Sequence, residues 1–184
     1  MTTPPFSSVD GLLRSLESLE GRPGDDVVPV LPHLLQTADI LSSVRPHDSQ
    51  LVAAGLLHDI ASALDEDCGD HARLGAVLLG PLLGPRVGRL VAGHTEAKRY
   101  LVTTEKGYAR RLSADSTHTL ALQGGPMTPG EVDAFGVLPH KADLVALRRA
   151  DDAAKVAGRE VPSPRSWRGL LDEVARTAGG SGGA

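Results

Sequence analysis

The stretch "AAGLLHDIASAL", residues 53–64, decides how the chain reads. Nine of its twelve residues are Ala, Gly, Leu or Ile, the composition of a helix buried on most of its faces. At its centre His58 and Asp59 stand side by side. A segment this apolar has to provide for an imidazole and a carboxylate, because burying either without a partner costs free energy. On a helix, adjacent residues point about 100° apart, so both side chains can reach around one cation from the same side.

The segments on either side read as helices too. Asp48 or Ser49 is the expected cap of the helix that carries His58 and Asp59. Upstream, Leu31, Leu34, Leu35, Ala38 and Leu41 recur at helical spacing. So do Leu12, Leu13, Leu16 and Leu19, after Asp10 as the expected N-cap. Downstream, the polar loop "DEDCGD" leads to Asp70, the expected cap of "HARLGAVLLGPLL". "GPR" restarts the chain into "VGRLVAGHTEAKRYL", and the remaining helical stretches are "LSADSTHTLALQ", "TPGEVDAF", "HKADLVALRRADDAAK" and "SWRGLLDEVARTA". No run alternates as a strand, and no internal repeat is present. The expectation is an all-α compact bundle of about seven to nine helices. It forms a single domain over residues 1–177, followed by a disordered Gly/Ser tail over 178–184.

Composition narrows the function. Of 184 residues, 41% are apolar but only 3% aromatic, so the core is built from Leu, Val and Ala. A net charge of −4 argues against nucleic acid, which needs a basic face. The single cysteine, Cys68, excludes an internal disulfide and suits a reducing cytosol. "MTTPPFSSVD" lacks the basic and apolar regions of a secretory signal, and no apolar run reaches membrane-span length. A cytoplasmic protein with neither a nucleic-acid nor a membrane partner is expected.

Four of the seven histidines lie within or at the start of apolar helices: His33, His58, His71 and His94. A lone histidine on an apolar face is more often a hydrogen-bonded core residue than a ligand. Four of them, with Asp59 adjacent and Asp151 in "LRRADDAAK", make sense together if they share a cation. A carboxylate has two oxygens, so Asp59 can bridge two metals. His47, His118 and His140 sit in polar or turn contexts and read as solvated or supporting residues.

A first His, an adjacent His-Asp and a distant Asp, here His33, His58-Asp59 and Asp151, resemble the HD-domain superfamily. The resemblance implies an all-helical fold with metal between the helices. His71 and His94 resemble the dinuclear branch. There the implied sets are His33, His58, Asp59 and Asp151 on one metal, and Asp59, His71 and His94 on the other, with His58 and Asp59 the expected catalytic pair.

A narrower resemblance rests on "HTEAKRYL" (94–101), "STHTLALQGGPMTPGEVDAF" (116–135) and "LRRADDAAKV" (147–156). These are similar to the mixed-valent di-iron oxygenases of the HD fold that cleave carbon–phosphorus bonds, relatives of myo-inositol oxygenase. That similarity implies two iron ions (Fe2+/Fe3+), O2 as co-substrate and a small 1-hydroxyphosphonate as substrate. The positions implied for anion binding are Lys98, Ser116, Gln123, Arg148 and Lys155. Lys98 follows His94 by four residues, one helical turn. Arg148 and Lys155 flank Asp151 at −3 and +4, so all three are expected to share a face.

The chain also departs from that family. A tyrosine and a glutamate usually precede the first metal histidine in that family; the matching positions here are Pro23 and Asp26, so Asp25 or Asp26 is the expected replacement for the glutamate, and no tyrosine lies near. The family's histidine four residues after the HD histidine is Ser62. The alternative is a metal-dependent HD phosphohydrolase acting on a phosphomonoester or nucleotide with the same ligands. A third reading is a binding module with a structural metal, against which the nearby cations argue.

Overall fold

A computed structural model describes residues 6–24, 28–65 and 69–180 of the chain. Among these residues there are ten α-helices and two 3-10 turns, and no strand. The helices are α1 (Val9–Glu17), α2 (Val30–Val44), α3 (Ser49–Leu57), α4 (Ile60–Leu64), α5 (His71–Leu83), α6 (Pro85–Thr104), α7 (Ala114–Leu122), α8 (Pro129–Gly136), α9 (Lys141–Ala153) and α10 (Arg168–Gly180). The 3-10 turns are Tyr108–Arg111 and Pro164–Trp167. The all-α expectation holds. No described helix is long and apolar enough to cross a membrane.

The count exceeds the expectation because the helix expected through His58-Asp59 is two helices. His58 keeps helical torsions (φ −58°, ψ −34°), but Asp59 leaves them (φ −108°, ψ 14°) and starts α4 as its N-cap residue. No glycine or proline marks the break. The Asp59 carbonyl accepts from the Ala63 amide and the Ser62 hydroxyl, so Ser62 stabilises the restart. The two side chains are therefore not set by a 100° helical step but by a bend between helices.

Side-chain caps fix where α1, α3, α5, α7 and α8 begin. Asp48 accepts from the Leu51 amide and Asp70 from the Arg73 amide, as expected. In α1 the cap is Ser8, not Asp10, which lies in the first turn and pairs with Arg168 instead. Such caps are worth about 1 kcal/mol each. Between α5 and α6, Gly84 adopts φ +88°, in the left-handed region where other residues are strained. A Cβ there would also approach Ala178 to 3.0 Å, so the end of α10 closes over this turn. Helix α10 runs to Gly180 and so takes in the first three residues of the expected tail.

Helices α2, α3, α6 and α9 surround the core, with α5 antiparallel on α6 and α10 against α3 and α5. Leu34, Leu41, Leu51, Leu56, Leu57, Leu90 and Leu147 are fully buried there. Helices α2 and α3 approach closely at Gly55, where an added Cβ would fall 2.3 Å from a Leu41 methyl. That contact puts the end of α3, and with it His58, against α2 and α9.

Candidate metal centre

Five helices deliver the six expected ligands to one place. His33 comes from the first turn of α2, His58 and Asp59 from the α3–α4 bend, His71 from the start of α5, His94 from the middle of α6 and Asp151 from the end of α9. His33 Nε2 lies 3.3 Å from His58 Nε2 and 3.3 Å from Asp151 Oδ1. His58 Nε2 is 3.2 Å from Asp59 Oδ2 and 3.8 Å from Asp151 Oδ2. On the other side, Asp59 Oδ1 is 3.3 Å from His71 Nε2 and 3.2 Å from His94 Nε2, which are 3.4 Å apart. Two groups result, His33–His58–Asp59 with Asp151 beside it and Asp59–His71–His94, sharing Asp59.

The ring orientations are imposed from behind. His33 Nδ1 donates to the Ala154 carbonyl at 3.0 Å, His58 Nδ1 to Gly55 at 2.9 Å and His94 Nδ1 to Val91 at 2.7 Å. Each acceptor is a backbone carbonyl, so Nδ1 carries a proton and Nε2 is the nitrogen that faces the cluster. Ring nitrogens facing one another at 3.3–3.4 Å suit a cation between them. Asp59 Oδ1 is buried without a hydrogen-bond partner, a carboxylate oxygen left with nothing to accept. Ligands about 2.0–2.2 Å from a common ion stand roughly 3 Å apart, close to what the cluster shows. The residues fit a pair of metal ions. Their nitrogen and carboxylate donors suit iron among other divalent metals.

The electrostatics carry the same signature. Burial disfavours charge on His58, but Asp59 and Asp151 outweigh it and raise its pKa to about 9. Burial likewise works against ionised Asp59 and Asp151, yet His58 beside the first and Arg148 beside the second hold both well below the usual carboxylate range. Burial pulls His94 below its ordinary value. The carboxylates of the cluster thus stay ionised and favour positive charge beside them.

A cavity of about 670 Å³ opens from the ligands. Lys98, Ser116, Gln123, Arg148 and Lys155 all line it. Lys98 is buried and donates to the Ser116 carbonyl at 3.3 Å and the Thr119 hydroxyl at 2.9 Å. Burial, with repulsion from Arg148, lowers its pKa to about 8. Lys155 donates to Ser113 Oγ at 2.9 Å and Ser116 Oγ at 3.3 Å. Gln123 Oε1 is buried and accepts no hydrogen bond.

Two expectations need correction. Lys155 does not share a helical face with Asp151, because α9 ends at Ala153. Gln36 brings it into the cavity instead: the buried amide donates to the Val156 carbonyl at 2.9 Å and accepts from the Val156 amide at 3.1 Å. That clamp also steadies Ala154, whose carbonyl orients His33. Arg148, expected on the anion wall, spends three donors on protein groups: Asp151 Oδ2 at 2.8 Å, Asp152, and the Tyr108 hydroxyl at 3.1 Å. Gln36, Thr119 and Tyr108 escape sequence reading, since no local pattern marks a residue whose partner is distant in the chain. Asp26 lies outside the described residues. Pro23 and Ser62, the positions expected to differ from the family pattern, line the cavity, and Tyr100 stacks on Phe135 away from it.

Residues 30–133 match the family model described as "HD domain". Two relatives are similar over most of their length. One is the hydroxymethylphosphonate dioxygenase of Gimesia maris, 36% identical over 153 residues, covering 78% of this chain and 76% of the relative. The other is the [1-hydroxy-2-(trimethylamino)ethyl]phosphonate dioxygenase (glycine-betaine-forming) of Leisingera caerulea, 35% identical over 144 residues, covering 73% of each.

Proposed function

The chain belongs to the HD-domain family, and from that premise we propose that it is an oxygenase that cleaves the carbon–phosphorus bond of a small 1-hydroxyphosphonate. The observation that carries this reading is the joining, in one cavity, of a ligand cluster for two ions to buried Lys98. Both relatives are named for phosphonates with a hydroxyl on the carbon next to phosphorus. The reaction balances without a further reductant: R–CH(OH)–PO3H2 and O2 give R–COOH and H3PO4, the substrate carbon supplying the electrons.

In this reading His33, His58, Asp59, His71, His94 and Asp151 hold two iron ions, with Asp59 between them. A mixed-valent iron pair supplies the one-electron chemistry that O2 requires. Lys98 and Lys155, with Ser116, hold the phosphonate oxygens by charge-assisted hydrogen bonds. Gln123 Oε1 is an acceptor for a substrate proton. The small residues Pro23, Gly24, Ser62 and Gly69 leave the mouth of the cavity wide.

The test is to supply iron-loaded protein with hydroxymethylphosphonate under O2. One phosphate and one formate per O2 consumed are expected, together with a mixed-valent paramagnetic resonance signal that the substrate perturbs. Release of phosphate from phosphomonoesters or nucleotides without O2 uptake would overturn the reading in favour of a hydrolase.

A further inference from the structure

Arg148 is almost fully buried, and its fixed fork of five N–H donors has to be satisfied on the spot. Two of the groups that satisfy it belong to no ligand set. The Tyr108 hydroxyl accepts from Arg148 Nε at 3.1 Å and donates to Asp152, while Asp152 also accepts from Arg148. Tyr108, Arg148 and Asp152 thus form a closed ring. From it Arg148 makes a further hydrogen bond, 2.8 Å to Asp151 Oδ2. The other oxygen of Asp151 faces His33 Nε2 at 3.3 Å. Tyr108 itself is 2% exposed and enters from the 3-10 turn after Gly107, which takes φ +82°.

From this geometry we infer that Tyr108 is a positioning residue for the ion on the His33 side. Its hydroxyl fixes the plane of the guanidinium, the guanidinium engages one oxygen of Asp151, and the second oxygen is left directed at the ligand cluster. Replacing the hydroxyl by hydrogen leaves Arg148 Nε unpaired in a buried place and takes one donor from Asp152. The fork then turns to recover its bonds, and Asp151 turns with it. The group Asp59–His71–His94 has no hydrogen bond to this ring, so the effect is one-sided. Removing an outer partner of a ligand costs about 10- to 100-fold in metal affinity.

The inference rests on the two-ion reading above, and one experiment separates them. The full chain, stripped with chelator, is titrated with Fe(II) under anaerobic conditions by calorimetry, as wild type, Tyr108→Phe and Asp152→Asn. The melting temperature of each metal-free form is recorded alongside. Two ions in the wild type, with one weakened about tenfold or more in both variants and the other unchanged, is the expected result. Unchanged affinity for both ions, or equal weakening of both, overturns the positioning role. A lowered melting temperature without one-sided weakening does so too, marking the hydroxyl as a packing element. A wild type that binds fewer than two ions refutes the two-ion reading instead.

Discussion

The two walls of the cavity solve opposite problems. On the ligand wall three imidazoles are fixed from behind by backbone carbonyls, and what faces inward is ring nitrogens and carboxylate oxygens. On the anion wall Lys98, one turn from His94, is buried against neutral acceptors, a carbonyl and a hydroxyl, and contributes positive charge. Arg148 stands where the walls meet and sides with the first, its guanidinium bonded to Asp151 and Asp152. One wall therefore requires cations and the other an anion. The 1-hydroxyphosphonate proposed above, an anion placed beside a metal pair, would answer both.

The largest expected effect breaks the ligand wall at its shared member. Asp59→Ala removes an oxygen from each group, so iron content measured after loading should fall from two per chain to near zero, with loss of turnover. Full metal load in that variant would disprove the bridge. Next in size, Lys98→Met should leave iron content intact and raise the KM for a phosphonate about 10- to 100-fold, the worth of a hydrogen bond to a charged group. If KM holds and iron is lost, the division into two walls is wrong.

Acidity sharpens the same contrast. In the metal-free protein the His58 pKa stands at about 9, above its ordinary 6.5, because nearby carboxylates favour its charge. A raised pKa stabilises the fold fully below the ordinary value and ceases to do so as pH rises through about 9. Chemical denaturation of the metal-free form should therefore show stability falling from pH 6.5 to 9. Metal affinity should climb over that window, since an ion has to displace the proton. The smallest effect is expected at Gln36→Leu, which releases the Val156 clamp. Denaturation should report a loss of about 1–3 kcal/mol and kinetics a modest rise in KM, through Lys155, with both ions retained.

The same contrast explains what the sequence discloses. The ligand wall is legible because imidazoles and acids are rare inside apolar helices, and six of them leave few other uses. The helices are legible from leucine spacing and from Asp48 and Asp70 as caps. The break at His58-Asp59 is not, because nothing local forbids the helix from continuing; the fold bends it so that Asp59 faces both groups. The anion wall is legible only in part. Lys98 is reached through the family resemblance, and its place one turn from His94 agrees with it. Lys155 leaves the helix, its neighbour Val156 is held by a glutamine 120 residues away in sequence, and the guanidinium of Arg148 is claimed by a tyrosine 40 residues away. Such pairings are set by tertiary contact alone.

Anomalous diffraction at the iron edge, on crystals of iron-loaded protein, tests the bimetallic centre most directly. Two peaks roughly 3.5–4 Å apart are expected, one on each side of Asp59, with His33, His58 and Asp151 around the first and His71 and His94 around the second. A single peak, or a pair that Asp59 does not touch, would contradict it.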